Sequence, residues 1–118
     1  MIIGSVTGDG ECLIRLAIAG EEWDTIVDTG FNGHLELPPV LKRRLNAQPR
    51  GTQTSFLAAG VVVEEESFLM HVPIDGERIP AFVTFVSGSE ILLGTGLLRR
   101  HRLEIDFSAR TVRLERVA

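Results

Sequence analysis

The residues best suited to chemistry are four in a row, Val27-Asp28-Thr29-Gly30, where a carboxylate follows an apolar run and leads into a turn. A carboxylate so placed can move protons, or it can simply cap the turn. Asp and Gly are common turn formers, so the tripeptide alone is weak evidence for catalysis. A second element makes the pattern more specific. The apolar run Ile91-Leu92-Leu93-Gly94 lies downstream and is followed by Leu97-Leu98. Other chemistries find less support. His34, His71 and His101 are far apart and show no metal-ligand spacing, so no metal site is expected. Gly94-Thr95-Gly96 lacks the third glycine of a dinucleotide fingerprint. Neither a phosphate-binding loop nor a serine-nucleophile elbow is present.

The elements that must position these residues read as all-β. Gly and Pro punctuate short runs rich in Val, Ile and Leu, with no internal repeat or linker tract. Residues 11–18 and 22–27 form a hairpin around Ala19-Gly20-Glu21, with Ile14, Leu16 and Ile18 on one side. Residues 35–37 read as extended, and Pro38-Pro39 opens a helix of about two turns that puts Leu41 and Leu45 on one face. Residues 52–57 and 61–66 form a second hairpin with a small-residue tip at Ala58-Ala59-Gly60. Residues 68–74 and 78–86 flank Asp75-Gly76, a strong two-residue turn signal. Residues 91–94 suit a strand buried on both faces, residues 97–101 a short helix, and residues 103–107 and 111–117 a closing hairpin. The predicted architecture is a small, closed barrel or folded sheet with one or two short helices.

At Ile26-Val27-Asp28-Thr29-Gly30-Phe31-Asn32-Gly33 the sequence resembles the retropepsin-like aspartic proteases, in particular a bacterial and archaeal branch with Phe after Asp-Thr-Gly. The resemblance runs from Glu11 to about Phe107. It implies one domain over residues 1–118, equivalent to half of a pepsin-like enzyme, with Asp28 as the catalytic residue. It also implies that Leu93 and Gly94 cross behind the active-site loop and support it together with Thr29 and Gly30. Residues 56–63 would be a flap, in which Leu57, Ala58, Ala59 and Gly60 meet substrate together with Phe31 and Asn32. The terminal strands, residues 1–6 and 111–117, would form the sheet between subunits.

The chemistry explains why a second subunit is required. Peptide hydrolysis without metal or covalent intermediate needs one carboxylate to take a proton from water and a protonated carboxyl to polarise the carbonyl. Two carboxyls held about 3 Å apart share one proton and titrate as a unit. Only one Asp-Ser/Thr-Gly occurs in the chain, so the second carboxylate comes from another copy across a two-fold axis. By the resemblance, the Thr29 hydroxyl reaches the other subunit's loop, while Gly30 lets that backbone approach without a Cβ. Two positions depart from the family pattern. Retroviral enzymes pair an acidic residue two positions after the motif glycine with an Arg after the apolar-run glycine. Here those positions hold Asn32 and Thr95, so both partners are absent and no charge is stranded. The bulk of Phe31 is expected to narrow the substrate cleft.

Composition bounds what else the protein does. The 118 residues are 44% hydrophobic and 24% charged, enough for one domain with a real core. Net charge is -4 and the basic residues gather in two short clusters, Lys42-Arg43-Arg44 and Arg99-Arg100 with Arg102, which make no nucleic-acid footprint. Cys12 has no disulfide partner and reads as a core side chain. With no leader-like or membrane-spanning apolar run, a cytoplasmic protein is expected, with no cofactor and no membrane partner. Trp23 reads as a half-buried strand aromatic, and Glu64-Glu65-Glu66 as a charged strand face that disfavours acidic peptides at the cleft rim. The leading expectation is therefore an aspartic endopeptidase acting on a peptide or protein substrate as a homodimer. Its rivals are a retropepsin-like dimerisation or peptide-binding module without turnover, and an unrelated β-barrel binder in which Asp28 only caps a turn.

Overall fold

The computed structural model describes residues 1–56 and 58–118, and Leu57 lies outside the described residues. Alternating burial drives the strands. β1 (Ile2–Val6) is followed by β2 (Cys12–Ile18), in which Cys12, Ile14, Leu16 and Ile18 are buried and the residues between them are not. β3 (Glu21–Asp28) pairs with β2 across a turn in which Ala19 and Gly20 both have positive φ, 54° and 80°. That two-residue geometry matches the twist of a hairpin. β4 (Leu35–Leu37) buries both leucines and points Glu36 the other way.

β5 (Gln48–Phe56) and β6 (Val62–Ile74) form a long hairpin, and β7 (Glu77–Phe85) pairs with β6 across Asp75-Gly76, again a turn with two positive φ values, 51° and 80°. The sequence suggests two separate strands over residues 61–74. They are one strand of 13 residues, shared between the β5 and β7 pairings. β8 (Ile91–Gly94), β9 (His101–Asp106) and β10 (Thr111–Arg116) complete the chain.

The ten strands make one sheet in the order β5-β6-β7-β4-β8-β3-β2-β1-β10-β9. Its two ends, β5 and β9, are not joined, so the expected closed barrel is instead an open sheet folded over on itself. β2 and β6, far apart in sheet order, touch across the fold. The buried side chains of β2, β4, β6, β7, β8 and β10 form one continuous core. Thr25, fully buried, satisfies its hydroxyl on the carbonyl of Trp23 (3.2 Å).

The helices are shorter than expected. Pro39–Leu41 is a single 3₁₀ turn that buries Leu41, followed by one further hydrogen-bonded turn in which Arg44 N–H donates to Leu41 O (3.0 Å) before the chain reaches β5. Leu45 still packs against the core. Thr95–Leu97 is another 3₁₀ turn, and His101 already belongs to β9, where it pairs with Arg116. β-pairing captures residues that a helix over 97–101 would have used. The terminal strands pair within the chain. β1 bonds to β10 from Ile2 to Ser5 and to β2 through Ser5 and Val6, while β10 lies between β1 and β9. The outermost strand at this end is β9.

Candidate active site

Asp28 is the last residue of β3, and β3 runs parallel to β8 with Thr25 opposite Ile91 and Asp28 opposite Gly94. Thr25 and Val27 face the core, so strand alternation turns Ile26 and Asp28 to the other face. After Asp28 the chain loops around and enters β4 on the far side of β8, where Leu35 pairs with Leu93 and Glu36 with Leu92. β8 is thus held between the two strands that flank the Asp28 loop. Leu93 is fully buried there.

The loop organises its own carboxylate. Oδ1 of Asp28 accepts the Gly30 N–H at 2.9 Å, and the Asp28 carbonyl accepts the Phe31 N–H at 3.1 Å. Asp28 is half-buried, while Thr29, Gly30 and Asn32 are exposed. Thr29 makes no side-chain hydrogen bond among the described residues.

Residues 94–96 grip the loop from behind through their backbone. Gly94 N–H donates to His34 O (2.8 Å), Thr95 N–H to Phe31 O (2.9 Å) and Gly96 N–H to Gly33 O (3.0 Å). The Thr95 hydroxyl adds a longer contact to Phe31 O (3.4 Å). Neutral backbone bonds therefore support the loop where the family pattern has an ion pair, and the Asn32 side chain makes no hydrogen bond among the described residues. The approach requires glycine. A Cβ on Gly94 would stand 2.2 Å from Gly33 O and 2.7 Å from Cδ2 of Phe31. One on Gly96 would stand 2.6 Å from Cδ2 of His34 and 2.8 Å from the carbonyl oxygens of Asn32 and Gly33. Phe31, half-buried, folds its ring over Gly33 and Gly94, where added Cβ atoms would meet ring carbons at 2.5 and 2.7 Å. Much of its bulk is thus taken up by the loop itself.

Two residues at this loop carry no sequence signal that identifies them as site residues. The first is His34, whose Nδ1 accepts the Phe82 backbone N–H at 3.0 Å and whose ring lies 5.2 Å from that of Phe82. Burial, followed by the nearby Arg99 charge, lowers its pKa below 6.5. The accepting nitrogen is consistent with the neutral ring, protonated on Nε2. The second is Glu36. Strand register sets Ile26, Leu92 and Glu36 side by side on the face that carries Asp28. Burial raises the Glu36 pKa, and the charges of Glu65 and then Asp28 raise it further. The Leu-Glu-Leu alternation of residues 35–37 was the available clue to its orientation.

The hairpin of β5 and β6 carries Ala58, Ala59 and Gly60 at its tip, all exposed, with Phe56 82% and Val62 55% exposed beside them. Ala59 and Gly60 turn the chain with φ of 63° and 74°. No hydrogen bond joins this tip to the Asp28 loop among the described residues. Glu65 is half-buried, whereas Glu64 and Glu66 are exposed. No group of three or more potential metal-ligating side chains occurs among the described residues. None of the described helices is long and apolar enough to cross a membrane.

Neither a protein-family model nor a curated protein sequence matches the chain. Solved structures do. A retropepsin-like aspartic protease from Rickettsia conorii superposes with a TM-score of 0.63 at 21% identity, covering 95% of this chain and 87% of that one. The retroviral protease-like domain of Ddi1 from Leishmania major gives 0.57 at 18% identity, over 87% of this chain and 86% of that one. The protease of Simian Foamy Virus (mac) gives 0.57 at 16% identity, over 73% and 90%. The chain therefore has the retropepsin-like fold.

Proposed function

We propose that the protein is an aspartic endopeptidase that acts as a homodimer, each copy contributing Asp28. The observation that carries this reading is an Asp-Thr-Gly loop, braced by glycine-dependent backbone bonds, in a chain with the retropepsin-like fold. In the dimer one Asp28 is ionised and takes a proton from water, while the other is protonated and donates a hydrogen bond to the scissile carbonyl. As water adds to the carbonyl carbon, the protonated carboxyl passes its proton to the carbonyl oxygen, giving a neutral diol and leaving one proton on the pair. In the collapse the carboxyl that took the water proton passes it to the leaving nitrogen, the other carboxylate takes a proton from a diol hydroxyl, and the C–N bond breaks. Gly30 N–H takes one acceptor site on Oδ1 and fixes the orientation of the carboxyl, leaving the others for the shared proton and the water. Peptide binds in extended form below the β5–β6 tip, positioned mostly by backbone hydrogen bonds.

A dimer needs a surface, and the free edges of the sheet differ. β5 is protected by Pro49 and by a register shift between Pro49 and Gly51. β9 has no such protection. Its half-buried Leu103 and Ile105 alternate with exposed Arg102, Glu104 and Asp106. An antiparallel second copy centred on Leu103 would set the two Leu103 side chains together and pair each Arg102 with Glu104 of the other copy. The proposal requires that this pairing bring the two Asp28 carboxyls within reach of one proton.

Asp28→Asn tests the chemistry. The amide oxygen still accepts the Gly30 N–H, so the fold and the dimer are expected to persist while cleavage of a peptide library between about pH 4 and 7 falls by at least about 10²–10⁴-fold. Unchanged cleavage would remove Asp28 from the mechanism. A second reading, a peptide-binding or dimerisation module without turnover, is favoured by the likeness to a domain described only as protease-like. It predicts peptide binding without cleavage in the unmodified protein.

A further inference from the structure

We propose that a basic cavity not lined by Asp28 binds a small phosphate monoester with an apolar body. The cavity has a volume of about 340 Å³ and lies where the β6–β7 turn, the turn after β8 and the adjoining ends of β9 and β10 converge. Arg78, Arg99, Arg100 and Arg116 line it together with His34 and His101. Among the described residues Glu77 is the only carboxylate in the lining, and it is ion-paired with Arg116, whose Nε also donates to the Ala118 backbone oxygen (2.8 Å). Arg78, Arg99 and Arg100 form no salt bridge among the described residues. Three uncompensated guanidinium groups thus gather at one small cavity on a chain whose net charge is -4.

The remaining lining residues refine the ligand. His34 has its Nδ1 committed to the Phe82 N–H, so its Nε2–H is the ring's remaining donor. Both ring nitrogens of His101 are withdrawn from solvent without a partner among the described residues. Ile79, Pro80 and the buried Leu97 supply apolar wall. A guanidinium fork matches phosphate oxygens in two-point contact, and a phosphate monoester carries nearly two negative charges at neutral pH. The volume falls at the lower end of the range for small-molecule sites. The assignment is independent of the peptidase reading.

Calorimetric titration of the unmodified protein with phenyl phosphate tests it, with inorganic phosphate, benzoate and sodium chloride at matched ionic strength alongside. Phenyl phosphate is expected to bind saturably, one per chain, at least tenfold more tightly than inorganic phosphate or benzoate. Binding is expected to shift the imidazole NMR signals of His34 and His101. The double substitution Arg78→Ala with Arg99→Ala, both exposed positions, is expected to weaken binding at least tenfold while circular dichroism stays unchanged. Four outcomes would overturn the proposal. They are no saturable heat, equal affinity for inorganic phosphate, equal affinity for benzoate, or full affinity in a folded double variant.

Discussion

Gly94→Ala probes the support of the Asp28 loop more directly than any change at Asp28. The new methyl carbon would start 2.2 Å from Gly33 O and 2.7 Å from Cδ2 of Phe31, where ordinary contact begins at 3.4 Å. The first obstacle is backbone, so the loop must retreat by more than an ångström. Two bonds depend on that contact, Gly94 N–H to His34 O and Gly96 N–H to Gly33 O. Overpacking costs about 1–3 kcal/mol and each of the two lost backbone bonds about 1 kcal/mol, so the expected destabilisation is about 3–5 kcal/mol. Urea denaturation followed by circular dichroism measures it. A displacement of this size also misplaces Asp28, and cleavage is expected to fall by about 10²-fold even in the fraction that remains folded. Gly8→Ala is the control, because a Cβ there meets nothing within 4 Å, and it should stay within about 0.5 kcal/mol. If Gly94→Ala is as mild as Gly8→Ala, the loop is not held by close backbone approach to β8, and the structural reasoning for the site fails.

Other predictions concern charge. Because burial and neighbouring carboxylates raise the folded-state pKa of Glu36 above 4.5, the folded chain holds that proton more tightly than the unfolded chain, and stability falls as pH rises through and above 4.5. Glu36→Gln is therefore expected to raise the urea midpoint at neutral pH and to leave it unchanged well below pH 4.5. An equal effect at both pH values would show that the charge is not the cause. At β9, Glu104→Arg is expected to weaken self-association by up to about 1 kcal/mol for each of two symmetric contacts, and adding Arg102→Glu to restore it. Sedimentation measures both, with the monomer's own exposed pairs of Arg102 with Glu115 and Arg113 with Glu104 contributing little. A double variant no better than the single one would remove β9 as the contact.

Local chemistry explains which parts of the fold could be read from sequence. The turn at Asp75-Gly76 announces itself because few residues other than Gly, Asn and Asp accept positive φ, while at Ala19-Gly20 only the glycine gives that signal; the alternation in β2 follows from one buried face. The apolar Ile91-Leu92-Leu93 run was legible as a strand, but it is not buried on both faces as expected: Ile91 and Leu93 are buried, while Leu92, on the face that carries Asp28, is half-buried. What stayed hidden was decided by partners distant in sequence. Nothing local tells residues 61–74 that β5 and β7 share one continuous strand. Nor does any local pattern reveal that His101 joins β9 instead of a helix, since its pairing with Arg116 is a tertiary choice. The role of His34 rests on the Phe82 N–H, 48 residues away, and a lone histidine gives no sign of such an acceptor. Glu36 could be oriented by alternation, but its neighbours Asp28 and Glu65 come from other strands.

The neutral bonds behind the Asp28 loop have a mechanical consequence. A pair of opposite charges weakens when salt screens it or acid neutralises its carboxylate. Backbone bonds from residues 94–96 to the carbonyls of Phe31, Gly33 and His34 do neither. A carboxyl pair that shares one proton must exchange which member holds it during turnover, and it benefits from a frame whose geometry does not titrate with it. The cost falls on sequence freedom. Gly94 and Gly96 cannot carry side chains without displacing the carbonyls that accept their N–H groups, and Phe31 fills the space the glycines leave. Glycine at these two positions and a large ring at position 31 thus act as one unit, and substitution of any one of them should be read through the others.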